Sequence, residues 1–423
     1  MTSRAATVPV DASIDVPIHV PIDAQIDAPI DVPIDASIDA PIRRVVVLRA
    51  LVLGDLICAV PALRAFRGAW PRAHIALMGL PAAREYASRL DCIDEWIPFP
   101  GWPGLPEQAP DLAALPGFLA RMQAVGWDLA IQLHGSGERT NPLLALLGAR
   151  RNAGFHGPGA WVPTPDAGRF LPWSPGGHET QRLLSLCRHL DLPPVGEQLS
   201  FPLREDDERQ LREAWPGRDA APSYVCLHAG AQLPSRRWPF ARFAAVGWAL
   251  HDAGHTIVLT GTADERALVA ALADRLAAFG VPSVDLAGRT SLWSFGALLR
   301  GARLLVCNDT GASHVAAALR VPSVVTSCGG EAARWAPADR RLHRVLAKAA
   351  PCRPCAFSDC PYGHPCAEAL TVSEVLAAIE DQLRQPRPDP GPTIKEGFHA
   401  PTLAHPDVAR PRQLPLQPDA GPA

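Results

Sequence analysis

The sequence predicts an α/β protein made of two Rossmann-like, doubly wound parallel-sheet domains facing across a cleft. Three observations carry that prediction. Short apolar runs alternate with longer amphipathic ones from about residue 43, and the alternation lapses and then restarts near residue 223. With 423 residues and 48% hydrophobic content, the chain can also bury two ordinary cores.

Taken in order, residues 8–43 form nine tetrapeptides from "VPVD" to "APIR" with Pro at the second place in most, which forbids a helix and spoils a central strand. Residues 1–42 are therefore read as a disordered tail. In the first domain, 43–200, "RVVVLRA" (44–50), "HIALMG" (74–79) and "DLAIQL" (128–133) read as strands. "PALRAFRGAW" and "PDLAALPGFLARMQAVG" read as helices with Pro near their starts. Residues 201–222 read as a linker. The second domain, 223–384, opens with "SYVCLHAG" and continues through "TIVLTG", "VDLAG", "LLVCND" and "PSVVTS" as strands separated by helices. Residues 385–423 are rich in Pro and read as a second disordered tail.

The net charge of −3 hides an acidic start: residues 1–42 carry seven Asp against one Arg, leaving 39 basic and 36 acidic residues elsewhere. That balance gives no reason to expect nucleic-acid binding. There is no apolar run of membrane-spanning length and no signal-peptide layout, so a cytoplasmic protein is expected. Only two Lys occur, Lys348 and Lys395, so Arg must serve wherever an anion is held.

Neither half shows G-x-G-x-x-G after its first strand, and there is no G-x-x-x-x-G-K-[ST], which argues against a dehydrogenase or a P-loop enzyme. Polar groups gather instead at strand ends. In "HAGAQLPSRRWPFARF", Arg236 and Arg237 stand beside a helix start, a suitable pair for a diphosphate. In "LLVCNDTGASHVAAAL" a strand ends at Asn308 and Asp309, and Thr310, Gly311 and Ser313 open a small-residue helix with free N–H groups. His314 sits in its first turn. In "LVLGDLICAVPALRAF" an acid, Asp55, follows Gly54 where an anion would ordinarily be received. It is either a helix cap or a proton acceptor.

These segments, with "LAGRTSL" between them and in this order, resemble glycosyltransferase family 9, the ADP-heptose heptosyltransferases of lipopolysaccharide core assembly. The resemblance runs from about Arg43 to Leu383. It implies GT-B architecture and inverting transfer that requires no metal. Heptose would pass from ADP-heptose to a lipopolysaccharide inner-core acceptor, with peripheral contact at the inner face of the cytoplasmic membrane. It makes Asp55 the general base and Arg236 the diphosphate cation, where the family often has Lys. Thr310 and Gly311 would hold the same phosphates, Asp309 would bind donor-sugar hydroxyls, and Glu265 in "TGTADER" would bind the ribose, with Asp264 as the alternative. His314 would either touch phosphate or pack. His134, Ser136 and Arg139 in "QLHGSGERTN" either line the acceptor pocket or form a polar loop. "TSCGGEAARWAP" has Gly-Gly-Glu where many members have Thr-Asp-Pro, which leaves the donor sugar open. An acceptor that is a protein or another glycan, or a binding module without turnover, are the rival readings.

"CRPCAFSDCPYGHPC" places Cys352, Cys355, Cys360 and Cys366 within one short segment around His364. Four thiolates could hold one structural Zn or Fe, or they could be reduced thiols or disulfides. The segment is expected to shape a loop, not to perform chemistry.

Overall fold

The structure, a computed structural model, describes residues 41–221 and 223–387. The two predicted tails lie outside these residues except for a few positions at their inner ends.

Twelve strands form two six-stranded parallel sheets. In the first half they are β1 (Arg44–Leu48), β2 (His74–Gly79), β3 (Glu95–Pro98), β4 (Leu129–Gln132), β5 (Arg151–His156) and β6 (Phe170–Pro172), in the order β3-β2-β1-β4-β5-β6. In the second half they are β7 (Tyr224–His228), β8 (Thr256–Leu259), β9 (Ser283–Asp285), β10 (Leu304–Asn308), β11 (Ser323–Ser327) and β12 (His343–Ala347), in the order β12-β11-β10-β7-β8-β9. Each order reverses once, between β1 and β4 and between β7 and β10. Outside the carboxyl ends of strands at such a reversal, loops diverge and leave a crevice for ligands.

The strand chemistry follows from that position. Val45, Val46, Val47 and Leu48 are all fully buried, with Val45 in register with Ile75 on one side and Leu129 on the other. An unbroken β-branched run suits a strand covered on both faces. Val306 lies likewise between Val324 and Leu227.

Two elements differ from their sequence reading. The helix after β1 spans Leu53–Ala69, so Pro61 lies in its middle and not near its start. Buried packing of that helix outweighs one missing N–H donor. The segment read as a linker contains the helix Glu205–Ala214, whose first-turn Asp207 takes both terminal nitrogens of Arg89 at 2.6 and 2.8 Å. Phe201, from the same segment, stacks with Tyr86 and Trp293, tying the two halves into one apolar core.

Candidate functional site

At the carboxyl end of β1 the chain places a cation before the acid. Arg49 is fully buried, and its guanidinium donates to Leu133 O at 2.5 Å, to Asp55 O at 3.0 Å and to Glu179 Oε1 at 3.1 Å from both terminal nitrogens. Its charge stands 3.7 Å from Asp55 Oδ1. Asp55 occupies the first turn of helix Leu53–Ala69, where the macrodipole favours an anion, yet burial is the larger influence and pushes its carboxyl up to about 6. Arg49 opposes that shift, Glu179 adds to it and Arg334 opposes it. The result is a carboxyl poised to accept a proton near neutrality.

Gly54 has a specific reason to be glycine. A Cβ there would lie 2.6 Å from Cδ2 of His314, which reaches over from the second domain. His314 is buried, held neutral chiefly by that burial, and its Nδ1 lies 3.5 Å from Cys58 Sγ. Burial pushes the Cys58 thiol up to about 12, so the thiol stays protonated beside the ring. His314 packs the domain contact, edge-on to Trp335 at 6.4 Å.

At the carboxyl end of β10, Asn308 is structural: its Oδ1 accepts from Trp238 N at 2.8 Å and its Nδ2 donates to Ala229 O at 2.7 Å. Asp309 accepts from Ser327 Oγ at 2.9 Å, and Ser327 Oγ in turn accepts from Arg353 at 2.8 Å. Thr310 caps helix Gly311–Ala318 with extended backbone and no side-chain bond to it, so Ser313 N bonds back to Thr310 O while the N–H groups of Gly311 and Ala312 have no side-chain cap. Gly330 lies between this acid and Arg236, since a Cβ there would meet Asp309 Oδ2 and come within 3.0 Å of Arg236 Nη1. The Gly-Gly-Glu turn therefore has a physical role: Gly329 takes a left-handed φ of 67° and Gly330 leaves room for both charged groups.

The Arg pair divides. Arg236 donates to Cys355 O at 2.6 Å and keeps its buried Nε without a partner, whereas Arg237 turns back to Ala231 O at 3.0 and 2.8 Å. One guanidinium, not two, remains for an anion. Glu265 and Asp264 also separate: Glu265 accepts from Thr262 N at 2.8 Å with its carboxylate against Gly230, while Asp264 is exposed.

In the first domain, His134 is buried. Ala50 N donates to its Nδ1 at 3.3 Å, so Nε2 carries the proton and donates to Glu107 Oε1 at 3.2 Å. Ser136 is half-buried with its backbone carbonyl bound by Gly157 N, and Arg139 is exposed beside Glu138. The three share a loop but not a common focus.

The Cys segment is organised by backbone contacts. Among the described residues no group of three or more His, Cys, Asp and Glu is placed to hold an ion, and all ten cysteines are free thiols, which removes the disulfide alternative. Cys366 is buried in the second core and Cys355 sits against Gly329. The backbone of the segment is committed elsewhere: Ser358 O and Phe357 O accept from Ser235 at 2.9 and 2.5 Å, and His364 Nε2 donates to Ser235 O at 2.8 Å. The segment wraps the turn that carries Arg236.

Sequence reasoning missed Arg49, Glu179 and Arg334. Glu179, fully buried at the start of helix Glu179–His189, binds Arg49 through Oε1 and both Arg182 and Arg334 through Oε2, the last at 2.8 Å. Burial alone would raise its carboxyl, but Arg49, Arg334 and Arg182 together hold it down at about 2. The available signal was an Arg closing the apolar run "VVVL".

Comparisons with known proteins give the family and the fold. Residues 118–365 match the description glycosyltransferase family 9 (heptosyltransferase). Lipopolysaccharide heptosyltransferase 1 of Pseudomonas aeruginosa is 31% identical over 58% of this chain and 66% of its own length. Lipopolysaccharide heptosyltransferase 3 of Escherichia coli is 25% identical over 38% of this chain and 48% of its own. The chain thus spans between about half and two thirds of these curated relatives. A solved family 9 glycosyl transferase from Veillonella parvula superposes with TM-score 0.63 at 20% identity, covering 81% of this chain and 97% of that one. The E. coli ADP-heptose lps heptosyltransferase II gives 0.60 at 20% identity, with 81% and 98% covered. Both likenesses place the fold in the GT-B architecture. With the profile match covering more than half of the sequence, the chain belongs to glycosyltransferase family 9.

Proposed function

We propose that this protein is an inverting glycosyltransferase that passes heptose from ADP-heptose to a hydroxyl of a lipopolysaccharide inner-core acceptor. One observation carries the reading: a buried carboxyl raised to about 6 at the end of β1, on a helix packed through Gly54 against His314, is joined by that contact to the end of β10, where Thr310 opens the helix carrying His314 and Arg236 lies across Gly330 from Asp309. The first suits proton removal from a sugar hydroxyl as it attacks the anomeric carbon. The second suits the charge that appears on a departing diphosphate.

In this mechanism Asp55 takes the acceptor proton. Arg236 and the N–H groups at Thr310 and Gly311 stabilise the leaving ADP, Asp309 orients the donor sugar, and Glu265 meets the ribose hydroxyls. His134, Ser136 and Arg139 bound the acceptor side. No step needs a metal. Among the described residues no helix is long and apolar enough to cross a membrane, which is compatible with peripheral contact at the cytoplasmic face where such an acceptor lies.

The test is incubation of the protein with ADP-heptose and a deep-rough lipopolysaccharide, beside a D55A variant, with mass spectrometry of the acceptor. One added heptose with the wild type and none with the variant supports the reading. Transfer only to a protein or another glycan changes the acceptor, and donor binding without any transfer leaves a binding module.

A further inference from the structure

We propose that Arg334 of the second domain is a positioning residue for the base of the first, acting through Glu179 and Arg49, so that contact between the domains completes the base. This rests on the reading of Asp55 as the general base.

The contacts form one continuous chain. Arg334 Nε donates to Glu179 Oε2 at 2.8 Å, Glu179 Oε1 receives both terminal nitrogens of Arg49 at 3.1 Å, and Arg49 Nη2 binds Asp55 O at 3.0 Å. Glu179 and Arg49 are fully buried, so their charges act with little screening by water. Arg334 is held in turn between the rings of Trp173 at 5.6 Å and Trp335 at 4.5 Å. A second bond crosses the same seam, from His178 Nε2 to Ala336 O at 2.9 Å.

The segment carrying Arg334 begins at Gly330, which lies against Asp309 and Arg236. Occupancy of the donor pocket and the state of the base therefore share one short piece of backbone. With Arg334 in place, Glu179 is matched by three arginines and its field at Asp55 is weakened. Without Arg334, Glu179 repels a second buried anion more strongly, and Asp55 favours its protonated form. The charged and titratable groups acting on Asp55 are Arg49 beyond β1, Glu179 at the start of helix Glu179–His189 and Arg334, with Cys58 one turn on along its own helix; His314, from helix Gly311–Ala318, packs on the neighbouring Gly54, and Arg182 reaches the site only through Glu179. Arg334 is the cation among them that the second domain supplies.

The experiment compares wild type, R334Q and R334K in transfer from ADP-heptose across pH 5 to 9, with ADP affinity measured by calorimetry and D55N assayed alongside. In R334Q the acidic limb of kcat/KM moves to higher pH, so the loss at pH 6 exceeds the loss at pH 8.5 by roughly fivefold, and R334K moves it back toward wild type. ADP affinity stays within about twofold of wild type. A uniform loss with an unmoved limb, or a loss of ADP affinity that accounts for the whole effect, overturns the proposal. If R334Q does not fold, the limb of R334K decides alone, because a point charge without the planar fork holds Glu179 less well and must shift the limb upward. Turnover retained by D55N would instead remove the base reading itself.

Discussion

Each domain ends its central strand in an acid beside an arginine, and the two pairs are built for different work. In the first, Arg49 is sealed from solvent and its terminal nitrogens are spent on Leu133, Asp55 and Glu179, so it acts on Asp55 as a fixed charge. In the second, Arg236 is half-buried and commits one terminal nitrogen to Cys355 O; its Nε, like that of Arg49, is buried without a partner. A guanidinium has five N–H donors, so the second still has donors to offer an anion and the first has almost none. The lesson is that the same residue pair sets the charge state of a neighbouring carboxyl when buried and saturated, and keeps donors for an anion when part of it is left free.

The sharpest way to break that comparison is to exchange the effects. D55N is expected to lower kcat by roughly 10²–10⁴ with little change in donor KM, whereas R236A is expected to raise donor KM as well as lower kcat; steady-state kinetics separates them. Equal effects on both parameters in both variants would erase the distinction.

Next in size is E179Q, which leaves Arg49, Arg182 and Arg334 facing a neutral amide in a buried site. A loss of about 3–5 kcal/mol in urea unfolding is expected at neutral pH. The pH dependence gives the same group a signature. Glu179 is held down at about 2, so its contribution is present above the ordinary value of 4.5 and is lost as pH falls through about 2. Asp55 runs the other way: raised to about 6, it favours the fold below its ordinary 3.8 and loses that contribution as pH rises through 6. Acid titration of unfolding should therefore show an acid-side loss in the wild type that E179Q lacks.

The two close-packed glycines sharpen the comparison further. G54A puts a methyl 2.6 Å from His314 and should cost about 1–3 kcal/mol of stability along with activity. G330A crowds Asp309 and Arg236 and should act mainly on donor KM. The smallest effect is expected at the Cys segment: C352S and C360S, at half-buried positions, should change stability by no more than about 0.5 kcal/mol, and chelators should leave the unfolding midpoint where it was. A large chelator effect would support a structural metal at the Cys segment.

What could be read before the structure was whatever depends on local pattern. Apolar runs of β-branched residues form parallel strands wherever the chain puts them, so the two sheets were legible in "VVVLRA" and "LLVCND", the second ending in Asp309 itself. Asp55, Arg236, Asp309 and the helix at Gly311 could be placed because each follows its own strand within a few residues. The shape of the Cys segment could not, since spacing gives four thiols in proximity along the chain but not whether their backbone turns toward an ion or, as here, toward Ser235.

Sequence by itself determined the two doubly wound sheets and the family to which the chain belongs, because those follow from periodicity and from short motifs read in order. Tertiary structure alone decided the charged surroundings of Asp55. Arg49, Glu179 and Arg334 lie 130 and 155 residues apart along that chain of contacts, and a charge tunes its neighbour by distance and burial, neither of which is written in sequence separation.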